Sequence, residues 1–384
     1  MMDWVSDGQF LQLLFCSLAG AVVGCSLSCV SGVHRLTALT LVFFLQFLIG
    51  LTPEDFVMFA AAALAAALVS SSGHKMGRRS LVMMAGAVMA LLFFSSELAL
   101  FVIQAKSVGM IHVVLVILLA NLLFAKSPVS KGMIALALGM VTAQLGSYLT
   151  SSSLHLPLDL FGWTEGTALI IVLAGTCVFS PLLCGPVVPR ESVKANNSAD
   201  LIGLNLIGIL SLLLFGIGTS IESIVLFAML NYENVPFGAM AFIENGVRIN
   251  QSLLAVLFSV LFVLLLQKTI VKDLRLLFTK IPLWMVHSMI AVIAITTLCV
   301  LDLGVFSIYL ALIFGFVGMA LEKSGMSTPL FLVGYIYGSH LGYLFEISIL
   351  ARQTLFQLPL LLSALLFAAL LVVGKMYWRR KQHS

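Results

Sequence analysis

The residue with the clearest chemical meaning is Glu222, a carboxylate two positions past Ser220 in an apolar run interrupted by Gly216, Gly218, Thr219 and Ser220. An ionisable group inside such a run is costly, so it marks an ion or proton site, or else makes a structural hydrogen bond to another helix. The glycines and hydroxyls before it suit a broken helix. Unwound backbone offers N–H groups that suit a carboxylate and carbonyls that suit sodium or a proton carrier. A second segment of the same kind lies near the N-terminus, where Gly20, Gly24, Ser26, Ser28, Ser31 and Gly32 interrupt an apolar run and Arg35 follows. Arg35 could pair with Glu222 or with an anionic substrate; the alternative is a boundary position from which it reaches the interface. The candidate substrate- and ion-binding residues are therefore Ser31, Gly32 and Arg35 in the first segment, and Gly218, Thr219, Ser220 and Glu222 in the second. The competing reading of both is close helix packing through small residues. His34 reads as a loop residue, and Glu97 and Asp302 as structural or interfacial carboxylates.

The elements that must position these residues follow from composition. Of 384 residues, 61% are hydrophobic and 9% charged, and the mean hydropathy is +1.14. A soluble domain could not stay dissolved with that surface, and no polar stretch is long enough to form one. Apolar runs long enough to span a bilayer fall near residues 9–33, 36–51, 54–72, 80–104, 108–125, 132–150 and 166–185, then 201–230, 251–267, 282–301, 304–321, 328–345 and 355–374. The expected fold is an all-α polytopic membrane protein of about 11–13 transmembrane helices, the range allowing for a re-entrant second run. Asp3 and Asp7 stand where a cleavable signal would carry basic residues, so the first run reads as a retained helix. The six cysteines lie in or beside apolar runs without Cys/His ligand spacing and read as reduced packing residues. No resident cofactor is expected.

Basic residues cluster at Lys75, Arg78 and Arg79; Lys126 and Lys131; Arg190 and Lys194; Lys268, Lys272, Arg275 and Lys280; and Lys375, Arg379, Arg380 and Lys381. Even numbers of spans separate them, so all five can face the cytoplasm, which reads the net charge of +4 as membrane topology rather than nucleic-acid binding. Loops carrying Asp159 and Glu165, or Glu233 and Glu244, would face outward. Tyr377 and Trp378 beside the last basic cluster read as an anchor at the inner leaflet and give a cytoplasmic C-terminus. The polar stretch 190–200 is the expected cytoplasmic linker between a first membrane half, 1–189, and a second, 201–384, the two related halves each opening on a broken helix.

Several motifs together resemble one family, the TctA-like permeases that form the large membrane subunit of the tripartite tricarboxylate transporters. Gly20 and Gly24 with Ser31 and Gly32 resemble its glycine ladder and Pro-Gly-x-Gly-Pro element, whose prolines fall on Ser31 and Arg35 and whose last glycine falls on His34. Gly139 and Gly146, Glu165 and Gly166, then Gly175 resemble its Gly-rich helix, its acidic residue before Gly and the next helix; an acidic residue usual beyond that glycine is Pro181. Gly216 to Ser220, Pro236 and Gly238, then Phe242, Glu244 and Asn245 resemble a broken helix, a Pro-Gly turn and a Phe-x-Glu-Asn signature. Gly315, Gly318, Gly325, Pro329, Gly334 and Gly338 resemble the closing glycine pattern, the most specific stretch. Ala61, Ala62 and Ala63 replace the family's Gly-Gly-Ser, and the chain is shorter than usual for such permeases.

The resemblance implies a secondary active transporter for small organic anions such as carboxylates, coupled to sodium or protons. Its setting would be a bacterial inner membrane, as a multi-pass protein. It further implies a small membrane subunit and a periplasmic solute-binding protein as partners, with no nucleic acid. A non-transporting membrane scaffold is one alternative. A membrane enzyme acting on lipid-linked substrates is another, but it would need a sizeable polar loop with clustered acid–base residues, and none stands out. The chain is accordingly not expected to be an enzyme.

Overall fold

The computed structural model describes residues 7–29, 35–71, 107–125, 127–144, 169–184, 218–233, 239–266, 282–301 and 304–350, with 209 and 212. Within them the chain is all-helical, with eleven helices and no strand. They are α1 (Asp7–Cys29), α2 (Arg35–Ile49), α3 (Pro53–Ser71), α4 (Ser107–Phe124), α5 (Val129–Gln144), α6 (residues 169–184), α7 (Ile221–Tyr232), α8 (Ala239–Leu266), α9 (Leu283–Val300), α10 (Gly304–Lys323) and α11 (Thr328–Leu350). Among the described residues two stretches, Leu11–Cys29 and Val305–Lys323, are long and apolar enough to cross a membrane; shorter apolar helices account for most of the rest. Ser31, Gly32, His34, Glu97, Asp302, the 190–200 linker, the 234–238 turn, Tyr377, Trp378 and every basic cluster except Lys131 lie outside the described residues.

The chain divides into two compact units, Met1–Val102 with Leu169–Met319 and Ile103–Ala168 with Ala320–Ser384. Each unit draws on sequence from both sides of the 190–200 stretch.

In the first unit, α1 and α3 run side by side in the same direction, Gln12 donating to Asp55 at one end and Gly24 resting on Ala63 further along. Glycine makes this approach possible. A Cβ at Gly20 would meet the Phe59 carbonyl, and one at Gly24 would meet the Ala63 backbone. The facing stretch Ala60–Ala67 is buried throughout. The start of α3 is written in Thr52-Pro53-Glu54-Asp55: proline at the first helical position, acidic residues in the first turn, and a Thr52 hydroxyl that accepts the Asp55 N–H at 3.3 Å and donates to its carboxylate at 2.8 Å. α8 seals the pair, with the Ser259 hydroxyl donating to the Ala62 carbonyl at 2.6 Å and Leu254 and Phe258 packing over Leu13, Cys16 and Met58.

α2 is the hub of this unit. It touches α1, α3, α7, α9 and the middle of α6, and Leu36 to Phe44 and Gln46 are all buried. A helix apolar all round belongs inside protein or lipid. Its 15 residues rise only about 22 Å, short of a hydrocarbon core of about 30 Å. Gly50, at φ +72°, ends it by turning its N–H back to the Gln46 carbonyl at 2.9 Å.

In the second unit, α5 and α11 interlock through glycines. A Cβ at Gly139 would strike the Phe331 carbonyl, one at Gly334 the Leu136 carbonyl, and one at Gly338 would lie 2.9 Å from the Met140 Cα. The turn before α11 is closed by Gly325 at φ +72°, with Met326 N–H bonded to the Leu321 carbonyl and Gly325 N–H to that of Glu322. The Lys131 ammonium donates to the Ser324 carbonyl at 2.7 Å, placing a cation at a helix C-terminus.

Candidate functional site

α2 and α7 pack side by side and parallel. Arg35, the first residue of α2, acts electrostatically on Glu222 in the first turn of α7. At the other end Tyr232 meets Phe43 edge-on at 5.9 Å and Phe47 at 6.4 Å. Two helix N-termini therefore converge at one end, each preceded in sequence by a glycine- and hydroxyl-rich segment. That end combines partial positive charge from both helices with the guanidinium of Arg35.

The entry to α7 is non-helical at residues 218–220, with Ser220 extended at φ −98° and ψ 159°. Ser220 and Ser223 form a reciprocal cap. The Ser220 Oγ accepts the Ser223 N–H at 3.3 Å, and the Ser223 Oγ accepts the Ser220 N–H at 2.9 Å while donating to the Ser220 carbonyl at 2.8 Å. Gly218 lies against this turn, where a Cβ would come 2.6 Å from the Ser223 carbonyl carbon. Thr219 is exposed and Glu222 half-buried. The Glu222 carboxylate also accepts its own backbone N–H. Of the seven candidate residues, the structure thus brings Arg35, Gly218, Thr219, Ser220 and Glu222 to one helix end, where Ser220 is engaged in capping; Ser31 and Gly32 are not described.

The opposite end of the same pair has the reverse polarity. Glu233, the C-cap of α7, accepts a hydrogen bond from the Gln46 side chain in the last turn of α2. Burial pushes its carboxyl above the ordinary carboxylate value, and that hydrogen bond acts against the shift.

α6 holds a second buried polar feature beside α2. Its residues Ala174–Phe179 wind as a π-helix, with the Ser180 N–H reaching back to the Gly175 carbonyl. Pro181 explains the irregularity. It has no N–H for the carbonyl of Cys177 four residues earlier, and its ring would crowd that carbonyl in a regular α-turn. The Thr37 hydroxyl of α2 donates to that carbonyl at 2.7 Å in a buried hydrogen bond. Thr37→Val keeps the shape and removes the donor, so it should destabilise the protein by about 1–3 kcal/mol. Thr40→Val should do less, since the Thr40 hydroxyl donates within its own helix to Leu36. Thermal unfolding of the two variants in detergent checks this, and equal losses would contradict the assignment.

The groups sequence reasoning passed over are Thr37, Gln46 and the pairing role of Glu233. Pro181 inside an apolar run was the available signal for an interrupted helix, and a lone Gln in an otherwise apolar stretch was the signal at position 46. The glycines of the closing pattern serve packing and helix ends: Gly315 and Gly318 lie against Phe179 and Ser180 of α6. Among the described residues no three His, Cys, Asp or Glu side chains gather as metal ligands, and none of the described cysteines forms a disulfide. The chain matches no protein-family model, no curated protein and no solved structure.

Proposed function

We propose that this chain is a multi-pass membrane permease that carries small organic anions, carboxylates foremost, coupled to sodium or protons. The observation that carries the reading is the junction of Arg35 and Glu222 at the paired N-termini of α2 and α7. One helix comes from each sequence half, and each follows a glycine- and hydroxyl-rich interruption. A guanidinium with two helix N-termini suits a carboxylate, and the neighbouring Glu222 suits a coupling cation or proton.

A lipid setting is supported by apolar side chains left on the surface at helical spacing. On α10, Val305, Tyr309, Ile313 and Phe316 are 69%, 62%, 55% and 52% exposed, and Trp284, Met289 and Val292 on α9 are similarly bare. The bacterial inner membrane, a cytoplasmic C-terminus, membership of the TctA-like permeases and the associated small subunit and solute-binding protein complete the proposal.

The test is uptake by proteoliposomes containing the purified chain with whatever subunits co-purify from native membranes. A panel of mono-, di- and tricarboxylates under sodium and pH gradients should show ion-dependent accumulation of at least one class. No uptake across the panel would overturn the proposal. The full occupation of the Ser220–Ser223 cap favours a non-transporting scaffold as second reading, and recovery of no transport partner on pull-down would strengthen it.

A further inference from the structure

We infer that Gln46 and Glu233 form a binding site for a small monovalent cation, sodium, at the joined C-terminal ends of α2 and α7. Two oxygens there, Gln46 Oε1 and Glu233 Oε1, are buried and have no hydrogen-bond partner among the described residues. Gln46 is only 2% exposed. Its amide orientation is fixed by its neighbour, because the NH2 group donates to Glu233 and turning it over would set two acceptors against each other. Both orphans are therefore acceptors, and a buried acceptor left empty costs about 1–3 kcal/mol. What is missing is a positive or donating group.

The surroundings select its kind. The last carbonyls of two parallel helices point toward this end, so the partial charges of both are negative here. Of these carbonyls, that of Gln46 already accepts Gly50 and Leu51, and that of Met229 accepts the Glu233 N–H. Side-chain carboxylate, amide oxygen and peptide carbonyls are hard ligands that favour alkali and alkaline-earth ions. A single carboxylate is balanced by one positive charge, whereas a divalent ion would leave net charge in a partly buried site. The rings of Phe43, Phe47 and Tyr232 cluster at this end of the pair, with centroids 5.2–6.4 Å apart. The rival occupant is a proton, with a neutral Glu233 donating to Gln46 Oε1. The inference does not depend on transport, since it rests on the unpaired oxygens alone.

Thermal unfolding of the purified full chain in detergent at pH 8, in sodium, potassium or choline chloride at equal ionic strength, tests it. Wild type should gain stability saturably with sodium over choline, and Glu233→Gln and Gln46→Leu should each raise the half-saturating sodium at least about tenfold, the equivalent of 1.4 kcal/mol. Gln46→Glu adds a second carboxylate and should acquire a calcium response that wild type lacks; its absence would count against the site even where the other variants fail to fold. Equal midpoints of wild type in sodium and choline would overturn the inference, as would an equal sodium response in wild type and Glu233→Gln. A midpoint that rises on acidification in choline without any sodium response would assign the shared proton instead.

Discussion

Gly24→Leu is expected to be among the most damaging single substitutions in this chain, at about 3 kcal/mol or more. The added side chain would have to occupy space held by the Ala63 backbone, with a Cβ 2.7 Å from the Ala63 carbonyl carbon. Backbone on a neighbouring helix cannot yield as a side-chain tip can, so α1 and α3 would have to separate and open the buried alanine face between them. Gly50→Leu provides the contrast. No atom of the described residues lies within 4 Å of a Cβ there, and the strain is that of φ +72°, worth about 1–2 kcal/mol. Unfolding midpoints of the two variants in detergent decide the matter; a Gly24→Leu loss no greater than that of Gly50→Leu would mean that α1 and α3 do not pack as described.

Neutralising the charges at the N-terminal end of the α2/α7 pair should reduce uptake more than any other polar change in the described residues. Under the transport proposal, Arg35→Gln removes the cation that would meet a carboxylate, and at least tenfold weaker substrate affinity corresponds to about 1.4 kcal/mol. Glu222→Gln preserves size and hydrogen bonding, so expression should be normal while the requirement for sodium rises or the pH dependence disappears. Because the two charges interact, the double variant should lose less than the sum of the single losses. Proteoliposome uptake with ion titrations provides all of these values. Wild-type ion dependence in a well-expressed Glu222→Gln protein would return this residue to a structural role.

The helical class and most helix positions were legible because they depend on local signals. Apolar runs of spanning length carried that reading. Thr52-Pro53-Glu54-Asp55 at the start of α3, and Gly50 and Gly325 just past helix ends, are equally local signals that the reading of runs did not draw on. The non-helical entry to α7 at residues 218–220 falls in the glycine- and hydroxyl-rich segment, and residues 213–217 before it lie outside the described residues. Partnerships were less legible. That Arg35 could meet Glu222 was one of two readings, and nothing local distinguishes a residue facing another helix from one reaching an interface. The engagement of Thr37 with Cys177 requires knowing which helix lies beside Pro181, 140 residues away in sequence. The grouping into units was equally hidden, since each collects segments from both sides of the 190–200 stretch.

The π-wound middle of α6 has a geometric consequence for a helix of only 16 residues. Five-residue hydrogen-bonded turns hold one residue more than the α-pattern, so everything after Phe179 is retarded by roughly 100° in azimuth relative to an unbroken helix. That rotation lets one rod address partners that no single stripe could reach: its first turn lies against α7, its middle against α2 and α9, and Phe179 and Ser180 lie against the glycines of α10. Pro181 thereby acts as a phase shifter. The residue that forbids one hydrogen bond sets the angular register of every contact that follows it.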